Sequence, residues 1–212
     1  MADDREFAGR KLGEMLKQFV SEDPLVIGIA RSGVPVALGV SSVLRRPVHV
    51  VAVRKLELPS DPPSTIGALA EDGSLVLDDL RVAKPRLLRL IARATQRCKA
   101  LVGRYRGSAS IPDLRGRTVI LVDDAFSTGA TARAAIRLLF RAGAAKLVVA
   151  VPFALAPAAE RVRSEANAIV ALEIATPNAP VRCRYASFER LSDDELISAL
   201  RRACKRPGAR VE

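Results

Sequence analysis

The residues best suited to chemistry lie together in one stretch, residues 119–131, which reads VILVDDAFSTGAT. Four apolar residues predict a buried strand, two adjacent carboxylates follow at its end, and a turn rich in threonine and glycine leads into a helix. Ligands of open α/β sheets bind at the carboxyl ends of strands, and a turn at a helix N-terminus presents backbone N–H groups to a phosphate. The stretch therefore predicts a phosphate-binding site beside two carboxylates.

Each polar residue of this stretch has its own expected role. Asp123 and Asp124 are acceptors suited to vicinal sugar hydroxyls or to a hydrated divalent cation. Thr128 and Thr131 add hydroxyl donors, and Gly129 lets the backbone approach a phosphate closely. A phosphate next to a pair of hydroxyls describes a ribose 5-phosphate.

The elements that must position this site alternate between apolar runs and stretches with helical periodicity. The predicted strands are 24–30, 48–56, 118–122, 146–153 and 168–172. The predicted helices of this repeating unit are 36–44, 130–142 and 157–165. The alternation is typical of an α/β fold with a mainly parallel central sheet flanked by helices.

An interruption of another kind lies between the second and third predicted strands. Residues 66–77 predict a hairpin, because two short apolar runs flank the turn pair Asp72-Gly73. An apolar stripe predicts an amphipathic helix over 84–102. The polar, proline-rich segment 55–65 predicts a loop with little regular structure.

The length of 212 residues fits one domain, 1–212, with a basic helical insertion over 81–107. A helix is expected near the C-terminal end of this sequence. That helix is predicted to begin at Ser192, because Glu195 three residues later completes a capping box.

The composition excludes several classes of protein. The three cysteines show neither a disulfide framework nor a metal-binding spacing, which favours a reduced, cytoplasmic setting. The first residues lack the apolar segment of a secretion signal, and no apolar run is long enough to span a bilayer, so no membrane association is expected. With aromatic residues at 4%, a surface that stacks many bases is disfavoured.

The formal net charge of +11 is concentrated away from the phosphate-binding stretch. Residues 81–107 carry nine lysines and arginines and no acid. The arginines of one helix face are Arg86, Arg89, Arg93 and Arg97. This face could bind nucleic acid or an acidic partner through its charge, but a solvated face or a dimer contact is favoured, because charge runs are usually solvated.

The whole pattern of 119–131 resembles the diagnostic motif of the type I phosphoribosyltransferases: four hydrophobic residues, two acids, a variable run and TGxT. Residues 28–37, GIARSGVPVA, resemble the pyrophosphate-binding loop of that family. Residues 53–59, VRKLELP, resemble the strand end whose lysine meets the pyrophosphate. The resemblance covers about residues 5–200 and is closest to a bacterial subgroup of uncharacterised phosphoribosyltransferases.

The resemblance implies an enzyme that moves ribose 5-phosphate from phosphoribosyl pyrophosphate (PRPP) to an acceptor, with release of pyrophosphate and with Mg²⁺ as cofactor. It implies catalytic roles for Arg31, Lys55, Asp123 and Asp124, the two aspartates holding the metal through water. The implied PRPP-binding residues are Arg31, Ser32, Gly33, Lys55, Asp123, Asp124, Ala125, Ser127, Thr128, Gly129, Ala130 and Thr131. The resemblance further implies a strained or cis peptide bond beside Arg31, a homodimer, and a small hood from the chain termini, with 177–205 as the C-terminal hood and helix.

The acceptor is left open by three departures from the family pattern. Ser127 stands where purine-type members carry an aspartate that exchanges a proton with the base, so a purine salvage enzyme is disfavoured. Ser64 and Ser187 stand where the subgroup carries acids, so either the acceptor differs or catalysis is impaired. The candidate acceptor-side residues, for which simple packing is an equal explanation, are Phe126, Tyr185 and Phe188.

Two other classes of function therefore stay open beside the enzyme. One is a catalytically impaired regulator that binds PRPP, and the other is a nucleic-acid-binding protein that uses the arginine-rich helix. The single histidine, His49, lies in a predicted strand and is expected to be structural or solvated.

Overall fold

A mainly parallel sheet with helices on both faces forms the centre of the protein. The computed structural model describes residues 4–60, 64–79, 81–177 and 192–204. The strands are β1 (Leu25–Ala30), β2 (Val48–Leu58), β3 (Ser64–Ala70), β4 (Leu75–Leu77), β5 (Thr118–Val122), β6 (Ala125–Phe126), β7 (Lys146–Leu155) and β8 (Ala168–Ala175). The helices are α1 (Asp4–Leu16), α2 (Gly33–Leu44), α3 (Lys84–Arg106), α4 (Ala130–Arg141), α5 (Ala156–Arg163) and α6 (Asp193–Cys204), with a 3₁₀ segment at Lys17–Glu22.

The strand order explains how the carboxyl ends of distant strands become neighbours. The described strands run in the order β4-β3-β2-β1-β5-β7-β8, and the short β6 continues the line of β5 and also pairs with β7. The pairs β2–β1, β1–β5, β5–β7 and β7–β8 are parallel. At one edge of the sheet, β3 pairs antiparallel with β2 and with β4. The predicted α/β fold with a mainly parallel sheet is confirmed.

The core lies on both faces of the sheet, because successive residues of a strand point to opposite sides. From β1, Ile27 and Ile29 belong to the core shared with α4 and α5, whereas Val26 belongs to the core shared with α1 and α2. All residues of β1 and β5 are buried, and all except Thr118 are apolar or glycine. This is typical of strands that are covered by helices on both faces.

The predicted loop over 55–65 is wrong for most of its length. β2 continues to Leu58, and β3 begins at Ser64 and pairs back onto it. The prediction relied on proline and polar composition, but an antiparallel partner supplies hydrogen bonds that a local pattern does not show. The predicted hairpin itself is confirmed, with Gly73 in its turn at a φ of 90°.

Several helix bounds also differ from the predictions. α2 begins at Gly33 rather than at 36, and α3 continues to Arg106 rather than ending at 102. The helix α1 was not predicted from the sequence. The capping box of α6 is confirmed: the Ser192 N–H donates to Glu195 Oε2 (2.7 Å), and the Glu195 N–H donates to Ser192 Oγ (3.2 Å). No described helix is long and apolar enough to cross a membrane.

Helices α1 and α2 cross at two glycines. A Cβ on Gly9 would lie 2.1 Å from the carbonyl oxygen of Val36, and one on Gly39 would lie 2.1 Å from that of Glu6. Farther along α1, a Cβ on Gly13 would lie 2.7 Å from the Cβ of Val43, so the two helices run in the same direction. The first turn of α1 therefore lies beside the start of α2, at the carboxyl end of β1.

A buried ion pair fastens α3 to the sheet. Arg106 Nη2 lies 2.6 Å from Glu71 Oε1, and each side chain is 13% exposed. Glu71 also accepts a hydrogen bond from the Ala52 N–H (2.7 Å), and Arg106 donates to the carbonyl oxygen of Val50 (2.9 Å). The pair thus joins the hairpin turn, β2 and the last turn of α3.

Replacement of Glu71 by glutamine is expected to lower the free energy of unfolding by about 3 kcal/mol, because it leaves the Arg106 guanidinium buried without a counter-charge. Urea denaturation of the variant measures this loss. The matched control is Asp113→Asn, which breaks an exposed pair with Arg115 and is expected to change stability little. Equal effects of the two substitutions would contradict the structural role given to Glu71.

Candidate active site

Two adjacent carboxylates stand at the carboxyl end of β5. Asp123 is buried, and its Oδ1 accepts a hydrogen bond from the Asp124 N–H (2.9 Å). Burial, together with the charge of Asp124, raises the pKa of Asp123 well above its usual range, and the charge of Lys55 acts in the opposite direction. A positive charge beside Asp123 would lower this pKa and favour the ionised form.

The loop after β1 contacts this acidic pair. Ser32 Oγ donates to Asp124 Oδ1 (3.0 Å), across 92 positions of sequence. A Cβ on Gly33 would lie 2.7 Å from the carbonyl oxygen of Val122, so only glycine allows the loop to pack this closely against the end of β5. The peptide bond between Ala30 and Arg31 is cis, as the resemblance implied.

The threonine–glycine turn follows the acidic pair. Its Gly129 has a φ of 79°, a conformation that favours glycine, and a Cβ there would lie 3.1 Å from the carbonyl oxygen of Ala158. Thr128 Oγ1 accepts a hydrogen bond from the Ala130 N–H (3.2 Å), where α4 begins. Backbone N–H groups of the first turn of α4 therefore lie at the same end of the sheet as the carboxylates.

Lys55 reaches the site because β2 is longer than its neighbour. β1 ends at Ala30, opposite Ala52, and Lys55 stands three residues farther on, paired with Ala68 of β3. Its side chain is exposed, and its charge acts on Asp123. The hairpin thus places a lysine beyond the carboxyl end of β1.

The Arg31 side chain takes a direction that the sequence did not indicate. Its Nε lies 3.0 Å from Asp193 Oδ1, on the first turn of α6. Arg31 is adjacent to Ser32, so this contact places α6 next to the loop that touches the acidic pair.

The acceptor-side predictions have mixed outcomes. Phe126 is buried in the core with Ala154 and Ala158, which favours the packing explanation. Ser64 is exposed at the start of β3 and pairs with Leu58. The other predicted residues of this side, Tyr185, Ser187 and Phe188, lie outside the described residues.

Three further features that could interact with a ligand lie away from the acidic pair. The helix face of Arg86, Arg89, Arg93 and Arg97 is exposed, and none of the four forms an ion pair with a described residue. A surface cavity of about 550 Å³ lies between α3 and the end of α4, and its lining contains none of the predicted site residues. His49 is half-buried at the start of β2, where burial lowers its pKa, so neutral imidazole is favoured.

One residue of the site was missed entirely. Arg5, in the first turn of α1, has a side chain only 8% exposed, and its Nε lies 3.7 Å from Asp124 Oδ2. The close crossing of α1 and α2 brings it there. Recognition of α1 as a helix would have placed Arg5 on its buried face with Leu12 and Leu16, but the sequence holds no signal for its contact with Asp124.

The fold and the site together define a class of protein. It is an α/β protein whose sheet presents a carboxylate pair, a lysine, a glycine-containing loop and a helix N-terminus at one edge, an arrangement suited to a phosphorylated sugar. The family model described as the phosphoribosyl transferase domain matches residues 6–187. The chain belongs to the phosphoribosyltransferase family.

Three proteins with more than 30% sequence identity to this chain cover nearly all of it. Two curated proteins of Mycobacterium tuberculosis, provisionally named phosphoribosyl transferases, are each 36% identical over 206 residues, which is 95% of this chain and 46% of the relative. The chain therefore spans about half the length of these curated relatives. The crystal structure of TT1426 from Thermus thermophilus is 35% identical with a TM-score of 0.73, and the match covers 94% of this chain and 97% of that one.

Replacement of Arg5 by glutamine is expected to lower the free energy of unfolding by about 2 kcal/mol, because the carboxylate pair loses a buried counter-charge. The loss should shrink when Asp124→Asn is also present, and a double-mutant cycle from urea denaturation measures this coupling. Arg10→Gln on the same helix, which breaks a half-exposed pair with Glu6, is the matched control. Additive effects of Arg5→Gln and Asp124→Asn would show that the two side chains do not interact.

Proposed function

We propose that this protein is a phosphoribosyltransferase that moves ribose 5-phosphate from PRPP to an acceptor and releases pyrophosphate. One observation carries the proposal: at one end of the sheet Ser32 contacts Asp124 and the charge of Lys55 acts on Asp123, and α4 begins six residues after Asp124. PRPP contains a phosphate, two vicinal hydroxyls and a pyrophosphate, and each group has a matching partner at this end.

Each part of PRPP has its own set of proposed binding residues. Backbone N–H groups of residues 127–131, with the hydroxyls of Thr128 and Thr131, would hold the 5-phosphate. Asp123 and Asp124 would accept hydrogen bonds from the ribose hydroxyls. The residues on the pyrophosphate side would be Arg31, Ser32, Gly33 and Lys55.

The chemical step needs electrostatic stabilisation from the protein rather than a nucleophilic side chain. The anomeric carbon becomes cationic as the highly charged pyrophosphate departs, so the barrier is mainly one of charge separation. The carboxylates beside the ribose would stabilise the developing positive charge, and Lys55 would stabilise the leaving group. Inversion at the anomeric carbon follows if the acceptor attacks from the side opposite to the pyrophosphate.

The donor set fits Mg²⁺ as a cofactor carried largely by the substrate. Among the described residues, no group of three or more histidine, cysteine or acidic side chains could form a complete cage for a metal. Mg²⁺ retains waters and binds to substrate phosphates together with one or two carboxylates, which is what Asp123 and Asp124 offer. When bound, the ion would neutralise charge on the departing pyrophosphate.

A purine acceptor is disfavoured, because purine-type members exchange a proton between the base and an aspartate of the protein. Ser127 offers no carboxylate for that exchange, and the exposed Ser64 offers none from the hairpin. The candidates are a pyrimidine, an amine and a hydroxyl of a specialised metabolite. A regulator that binds PRPP without catalysis is the second candidate function, favoured by the same missing carboxylates.

Titration calorimetry with PRPP and Mg²⁺ tests the binding site. We expect wild-type protein to bind, and Asp124→Asn to lose about tenfold in affinity, because a charge-assisted partner of the ribose is removed. Asp113→Asn, an exposed carboxylate far from the site in the fold, is the matched control and should bind like wild type. Equal affinity of Asp124→Asn and wild type would refute the assignment of the acidic pair.

Pyrophosphate release in the presence of PRPP, Mg²⁺ and a panel of acceptors separates the two candidate functions. We expect release to depend on one class of acceptor, with the phosphoribosylated product identified by its mass. Tight binding of PRPP without release for any acceptor class would favour the regulator. Nucleic-acid binding that is steeply salt-dependent and lost on neutralising Arg89 and Arg93 would instead favour the third class of function.

A further inference from the structure

The carboxylate of Asp193 accepts contacts from donors in two separate parts of the chain, the loop after β1 and the end of α3. Arg31 Nε lies 3.0 Å from Oδ1, Arg104 Nη1 lies 2.6 Å from Oδ2, and the Tyr105 hydroxyl donates to Oδ1 at 2.8 Å. The Asp193 side chain is 17% exposed. One carboxylate therefore holds two guanidinium groups and a phenol.

This cluster borders the candidate active site. Arg31 lies directly before Ser32, whose hydroxyl contacts Asp124. Arg104 and Tyr105 come from the last turns of α3, the basic helix. Asp193 lies in the first turn of α6, which the buried Leu196 and Leu200 anchor in the same core as α2. The cluster thus connects the loop after β1 with the inserted helix and the C-terminal helix.

Among the described residues, the cluster sets two guanidinium groups against the single carboxylate of Asp193. Guanidinium groups bind phosphate oxygens in forked, two-bonded geometry, and a pyrophosphate carries more charge and more acceptor oxygens than a carboxylate. The side chains of Arg31 and Arg104 are 37% and 53% exposed, so both are accessible to a ligand from solution.

We propose that Asp193 is a built-in anion that competes with the pyrophosphate group of the substrate for Arg31 and Arg104, and that Arg104 is a further pyrophosphate-binding residue. This inference rests on the proposed function. In the ligand-free protein Asp193 holds the two arginines together. On binding, the pyrophosphate takes over their donors.

Tyr105 gives the displaced carboxylate a partner that the substrate does not compete for. Burial, with the hydrogen bond to Asp193 as a second cause, raises the pKa of Tyr105, so its hydroxyl stays protonated and continues to donate. The carboxylate therefore keeps one hydrogen bond while the arginines turn to the ligand. The same competition weakens the hold on the product, which favours release of pyrophosphate.

Asp193→Asn is the deciding variant, because asparagine keeps the size and the acceptor oxygen but removes the charge. We expect it to bind inorganic pyrophosphate, and PRPP with Mg²⁺, about fivefold more tightly than wild type in titration calorimetry. Asp194→Asn is the matched control: it removes an exposed carboxylate from the same turn of α6 that forms no ion pair with a described residue. Its affinity should stay near that of wild type.

Arg104→Gln tests the other half of the inference and is expected to weaken binding of both ligands about fivefold. Arg97→Gln, which removes an exposed arginine two turns earlier on α3, is its control. In the double variant, the gain from Asp193→Asn should be smaller than in the wild-type background, because one of the two contested arginines is absent. Thermal denaturation of each variant establishes that it is folded.

The outcomes separate this inference from the proposed function. If wild-type protein binds PRPP and Asp193→Asn binds it no more tightly than Asp194→Asn does, the competition is disproved while the proposed function stands. Weaker binding by Asp193→Asn would show that Asp193 orients the arginines or serves the metal, and would also overturn the inference. If wild-type protein binds neither PRPP nor pyrophosphate, both proposals fail.

Discussion

The juxtaposition of two carboxylates at the end of a buried strand is the constraint that the rest of the structure has to satisfy. Like charges in a medium of low polarity repel, and burial of Asp123 already disfavours its ionised form. The compensating groups come from separate elements: Arg5 from α1, Ser32 from the loop after β1, and Lys55 from β2. The site therefore exists only when all of these elements are correctly packed.

Two packing devices bring those groups into place. The glycine crossing of α1 and α2 lets backbone approach backbone, so that the first turn of α1 reaches the edge of the sheet. The antiparallel hairpin extends β2 beyond β1 and carries Lys55 past the sheet edge. The Glu71–Arg106 pair then fastens that hairpin to α3. Structural stability and the geometry of the site consequently depend on the same contacts.

The arginines of α3 fall into two groups in the structure. The arginines near the end of α3 are engaged, Arg106 by Glu71 and Arg104 by Asp193, so this part of the helix belongs to the architecture around the site. The arginines of its earlier turns point to solvent. The arginines of one helix therefore have different surroundings along its length.

The sequence by itself determined what local patterns encode. Alternating apolar and helical periods indicated the α/β sheet, the pair Asp72-Gly73 indicated the hairpin turn, and residues 119–131 located the carboxylates and the threonine–glycine turn, because these patterns are contiguous. Only the tertiary structure decided the contact of Arg5 with Asp124, the strand character of the segment after Lys55, and the pairing of Arg31 with Asp193. Each of these depends on a partner distant in sequence, and no spacing rule relates residues that meet only after the helices and strands have packed.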